Sequence, residues 1–141
     1  MPVYCPATAA GYKIDGQIVV PPGRRLVGDF RGPGYTRLAE ASGIDNTVLP
    51  ETTVFIVTSV TDSPVVLRTN SSVEGVVFWY PNQLWNITSL AQSFVTYPAA
   101  IQLGNAVETG PLHPAVRHCH FLGTTRCIDQ YATDGTALSS I

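Results

Sequence analysis

The ten acidic side chains of this 141-residue chain are the first candidates for chemistry. Glu74 in VEG and Asp129 in CIDQY stand beside strand-like positions, where a carboxylate can face outward and take or give a proton. Asp62 and Glu108 read as turn residues, and the acids are scattered, with no Asp-Asp pair and no D-x-D. Solvated or turn-forming carboxylates are the competing reading, because that is where such side chains usually lie. HPAVRHCHFLG offers His113, His118 and His120 around Cys119. A His-x-His pair can point one way from a strand, but it falls short of a four-coordinate zinc site, and no metal is expected. FWYPNQLW, residues 78–85, holds Trp79, Tyr80 and Trp85, and the segment after it carries Phe94 and Tyr97. Such rings stack on sugars, anchor subunit interfaces or fold back onto their own core, and these three readings stay open here.

Other motifs are missing. GDFRGPG is not a G-x-G-x-x-G opening a helix, no Walker-type lysine exists, and no G-x-S-x-G elbow is present. Nucleotide binding has no support, and no cofactor is expected. The chain is 45% apolar, enough to bury a core, yet only 13% charged, about half the roughly 25% of typical soluble domains. A single lysine, Lys13, stands beside seven arginines, and the net charge is −2 with no basic run. Nucleic-acid binding is therefore not expected, since it depends on clustered Lys and Arg. No window reaches the roughly 18 apolar residues of a membrane span, and MPVYCPATAAGYK lacks the basic-then-apolar order of an export signal. Cys5, Cys119 and Cys127 are an odd number in a chain too long to need disulfide staples, so free thiols are expected. Asn70-Ser71-Ser72 and Asn86-Ile87-Thr88 match the N-glycosylation acceptor pattern.

The elements that must position these groups read as strands. KIDGQIVV, RRLVGDF, TVFIVTSV, PVVLRT, VEGVVFWY, AAIQLG and AVRHCHFLG are short, β-branched and bounded by Gly, Pro, Asn or Ser. Helical periodicity is nearly absent, and RLAEAS at 37–42 is at best one turn. Setting VEGVVFW over VRHCHFL matches Val73, Val76 and Phe78 with Val116, Cys119 and Phe121. That spacing predicts a shared inward set, bends at Gly75 and His118, and Val77 and Trp79 facing out. Stacked copies of one unit would bury a continuous interior, as in a solenoid. Two excursions from the coil are predicted, over 32–51 and 81–98.

VYCPATAAGYKIDGQIVVPPGRRLVGD resembles the opening of the pectate-lyase-like right-handed parallel β-helix superfamily, and SSVEGVVFWYPNQ resembles a coil of its tailspike-like members. YPAAIQLGN and AVRHCHFLGTTRCID resemble the strands that follow. The resemblance implies an all-β, right-handed parallel β-helix forming a single domain over 1–141. An immunoglobulin-like or jelly-roll sandwich is the alternative, disfavoured because two-residue hairpin turns are scarce. It further implies a protein that acts on or binds extracellular polysaccharide, on a cell exterior or virion surface. The superfamily's hydrolases set two carboxylates about a glycosidic bond, which makes Asp129 and Glu74 the catalytic candidates and Trp79, Tyr80, Trp85 and Tyr97 the substrate-binding ones. A lyase would need a basic residue beside calcium-binding acids, and Arg117 and Arg126 have no acidic cluster near them in sequence. The superfamily's leading Asp-rich segment and capping helix do not precede Met1, and its active sites lie on middle coils, so a piece of a longer helix is expected. A structural or adhesin-like module forming a side-by-side homotrimer is the second expectation, because architecture alone does not choose a function.

Overall fold

The computed structural model describes residues 2–8, 10–30, 52–85, 92–93, 95–105 and 112–130, with backbone alone at 84–85 and 92–93. The excursion over 32–51, the turn over 37–42, Asn86, Phe94, Glu108 and the Trp85 side chain lie outside the described residues. The chain winds through three strands per coil. The first coil is β1 (Val3–Cys5), β2 (Tyr12–Ile14) and β3 (Ile18–Val20), and the second is β4 (Arg25–Gly28), β5 (Val54–Val57) and β6 (Val65–Leu67). The third begins with β7 (Ser72–Glu74) and β8 (Val77–Trp79), leaves the coil through β9 (Leu84–Trp85) and β10 (Gln92–Ser93), and closes with β11 (Ile101–Leu103). The fourth is β12 (Ala115–Arg117), β13 (His120–Leu122) and β14 (Ile128–Gln130).

Corresponding strands of successive coils pair in parallel. Sheet A runs β1-β4-β7-β12, sheet B β2-β5-β8-β13 and sheet C β3-β6-β11-β14, while β9 and β10 form a separate antiparallel pair. This is an all-β parallel β-helix, and the described residues contain no helix. Val73 sits beside Val116 and Phe78 beside Phe121, the register that the alignment of the two segments predicts.

Three-residue strands cannot bury a face alone, so the interior is assembled from rungs. Leu26, Val73 and Val116 line sheet A inside, and Val65 and Ile101 with Leu67 and Leu103 line sheet C. Sheet B contributes an aromatic ladder, Tyr12, Phe55, Phe78 and Phe121, one ring per coil. Phe55 meets Tyr12 and Phe78 edge-on at centroid separations of 6.0 and 5.7 Å, and Phe78 stacks on Phe121 at 5.3 Å. Such contacts add about 0.5–1.5 kcal/mol each beyond area burial.

The corner from sheet A to sheet B turns within one residue. Gly75 takes φ 73° and His118 φ 49° at equivalent positions, which keeps Val76 and Cys119 inward. Gly28 stands at this corner on the second coil, where a Cβ would strike the Gly75 carbonyl oxygen and lie 2.7 Å from Thr53 Cβ. Thr53 fills the space that the missing Cβ leaves. Its hydroxyl donates to the Cys5 carbonyl (2.6 Å) and accepts from the Asp29 N–H (2.9 Å), tying the return of the long excursion to the first coil.

Phe78→Ala should cost about 3–5 kcal/mol in urea unfolding, because the side chain is fully buried between two rings. Phe121→Ala should cost clearly less, its ring on the fourth coil being only partly buried. Equal losses at the two positions would contradict the ladder.

Candidate functional site

Charge gathers on the outer face of sheet A. The outward row of that sheet runs Tyr4, Val27, Glu74 and Arg117, with Arg25 on the neighbouring row. Arg25 Nη2 approaches Glu74 Oε2 at 3.1 Å, and His118 Nδ1 lies 3.6 Å from Glu74 Oε1. One carboxylate thus links a guanidinium of the second coil to an imidazole of the fourth. At 3.6 Å the imidazole is outside hydrogen-bond range and remains accessible. Tyr4 adds an exposed ring whose hydroxyl donates to Asp29 Oδ1, while Asp29 Oδ2 accepts the Ala7 N–H at 2.7 Å. A planar ring, two cationic donors and a carboxylate on adjacent strands, which lie about 4.8 Å apart, can hold a hydroxylated or anionic chain across the sheet.

The two candidate catalytic acids are not brought together. Glu74 lies outside sheet A, whereas Asp129 lies on the outer row of sheet C beside Gln102, exposed and paired with Arg126 at 2.7 Å. They do not flank a common bond. His120 turns outward from sheet B and its ring lies 5.9 Å from Phe30, while Cys119 packs against the core. Among the described residues no three His, Cys, Asp or Glu side chains gather about a metal-sized space. Burial pushes the Cys119 and Cys5 thiols up, away from the reactive thiolate.

The aromatic candidates separate by burial. Trp79 does face out, half-buried, against an apolar cluster of Phe30, Val54 and Val77 on the outer face of sheet B. Tyr80 and Tyr97 correct the sugar-stacking expectation, because both are fully buried core residues meeting edge-on at 4.7 Å. The cause is Gln83. Its side-chain amide donates to the Val95 carbonyl and accepts the Val95 N–H at 3.1 Å, drawing the returning chain back so that Tyr97 lands on Tyr80.

Sequence reasoning missed Arg25 and His118 as partners of Glu74. The signal was available, since setting RRLVGD over SSVEGV, as done for the later coils, places Leu26 on Val73 and Arg25 on Glu74's flank.

Among the described residues neither buried phenol hydroxyl has a partner in good hydrogen-bond geometry, although the Thr124 hydroxyl lies close to that of Tyr80. Burial is the main cause that pushes the Tyr80 phenol up to about 12, tempered by the nearby Thr124 hydroxyl, which itself donates to the Arg126 carbonyl at 2.7 Å. A phenol whose folded pKa lies above its unfolded value of about 10 favours the fold below pH 10, and that contribution is lost as pH rises toward 12. Tyr80→Phe removes the unpaired hydroxyl and should raise stability at pH 7 by about 1 kcal/mol in urea unfolding. It should also flatten the decline in stability between pH 10 and about 12. A loss of stability at pH 7 would show that the hydroxyl is satisfied after all.

Comparison of the chain with protein-family models, with curated proteins and with solved structures returned no match.

Proposed function

We propose that this chain is a polysaccharide-associated β-helix of the pectate-lyase-like group, binding an acidic extracellular glycan along the outer face of sheet A, outside a cell or on a virion. The observation that carries this reading is the Arg25–Glu74–His118 arrangement with Arg117 and the exposed Tyr4 ring, in a chain otherwise poor in charge. Uronate carboxylates suit Arg25, Arg117 and His118, sugar hydroxyls suit Glu74, and a pyranose face suits the Tyr4 ring. The resemblance of VYCPATAAGYKIDGQIVVPPGRRLVGD and SSVEGVVFWYPNQ to that group supports the substrate class. Separation of Glu74 from Asp129 favours binding over hydrolysis, since hydrolysis needs both acids at one bond.

Calorimetric titration with polygalacturonate should give binding that weakens with added salt, and a neutral glucan should bind less well. The Arg25→Ala/His118→Ala double variant should lose at least about tenfold in affinity, worth about 1.4 kcal/mol. Equal affinity for the neutral glucan, or none for either polymer, would defeat the proposal. A rise in reducing ends or in unsaturated product that disappears in Asp129→Asn or Glu74→Gln would make the chain a hydrolase or lyase instead.

A second reading, a structural or adhesin-like module that trimerises side by side, draws on the apolar outer face of sheet B. Ile56, Trp79 and Leu122 are only partly buried there. Trp79→Ala should then abolish a three-chain species in light scattering while leaving the β circular dichroism intact. Collapse of that β signal would place Trp79 in the core.

A further inference from the structure

Along the helix axis the outer face of sheet A changes sign from coil to coil. On the first coil the exposed Tyr4 ring stands beside the Asp29 carboxylate, which reaches back from the end of β4 to accept the Tyr4 hydroxyl. The second coil carries the exposed cation Arg25, the third the partly exposed acid Glu74, and the fourth the exposed Arg117 and His118. These strands pair in register as β1-β4-β7-β12, so each step is about 4.8 Å and groups of one sign recur every second coil, about 10 Å apart. Glu74 keeps accepting capacity among the described residues. Arg25 holds Oε2 at 3.1 Å, whereas His118 stands 3.6 Å from Oε1, beyond hydrogen-bond range.

We infer that the glycan this face takes alternates acidic with neutral units, as in a uronate–hexosamine repeat, and does not carry a carboxylate on every unit. The inference rests on the polysaccharide reading above and narrows its ligand. A monosaccharide in an extended chain advances by about one inter-strand spacing, so a chain laid along the axis sets one unit on each coil. A uronate over the second coil meets Arg25, and the next uronate, two units on, meets Arg117 and His118. The unit between them lies over Glu74, whose Oε1 accepts a hydroxyl or acetamido N–H and repels a carboxylate. Over the first coil a neutral pyranose face suits the Tyr4 ring, and Asp29 again opposes an acid. A polyuronate in the same place would set every second carboxylate against Glu74 or Asp29. Discrimination here comes from the repelling groups as much as from the cations.

The test is calorimetric titration of the full chain with hyaluronan and with polygalacturonate of matched length, at one pH and one ionic strength. Charge density alone favours polygalacturonate, which carries a carboxylate on every unit. Hyaluronan should nevertheless bind at least about tenfold more tightly. Glu74→Gln should shrink that preference by about threefold or more, because a carboxylate is then admitted at the third coil. Arg117→Gln should shrink it from the other side by loosening the second uronate. Circular dichroism checks that both variants keep their β signal, and the wild-type comparison depends on neither. Should polygalacturonate bind as tightly as hyaluronan or tighter, or should the preference be unchanged in a variant that keeps its β signal, the inference falls while the polysaccharide reading stands. Binding of neither acidic polymer defeats that reading, and the inference with it.

Discussion

One constraint governs the molecule: the backbone groups of each coil are completed by the coil beside it. A strand of three residues has no partner within its own turn, so its N–H and C=O groups must be paired with corresponding strands above and below. Pairing in register then forces like onto like. Val73 lies between Leu26 and Val116, and Phe78 between Phe55 and Phe121, because any slip by one residue would turn the apolar rows outward. The interior therefore follows from hydrogen bonding as much as from hydrophobicity.

Corners and outer faces are freed by the same constraint. A residue on the corner need only return the next strand to register, so the path between β5 and β6 is short while that between β8 and β11 carries a hairpin and still rejoins at Ile101. Gln83 shows how such a detour is closed. Its amide plays the part of a strand neighbour to Val95, and the ring that follows the return, Tyr97, becomes core. The outer faces are free to differ in chemistry. Sheet A carries ion pairs, and sheet B carries an apolar cluster sealed by Phe30.

What could be read from the residues divides along this line. The rungs were legible, because Val73, Val76 and Phe78 recur as Val116, Cys119 and Phe121 at a constant offset, with the bends at Gly75 and His118 in place. The strand β1 was harder to see, being three residues before a proline. Its identity rests on pairing with β4, which is not a local property. The hairpin β9–β10 was equally hidden, and so was the burial of Tyr80 and Tyr97, which depends on one glutamine's contacts across 12 positions. The candidate site was half legible. Glu74 was visible as an outward acid, but Arg25 lies 49 positions away, and only the coil brings the two together.

His118 joins fold and site at one position. At the equivalent corner Gly75 adopts φ 73° freely, whereas His118 holds φ 49° with a side chain, a conformation that costs about 1–2 kcal/mol for an L-residue. Glycine there would relieve that strain but lose about 0.4–1 kcal/mol through the greater freedom of the unfolded chain. The contact to Glu74 at 3.6 Å is exposed, and such pairs contribute about 0–1 kcal/mol. These terms nearly cancel, so stability does not select histidine over glycine at this corner. What histidine alone supplies is a donor on the charged face of sheet A, beside Arg25 and Arg117, at a place the coil fixes and the core does not need.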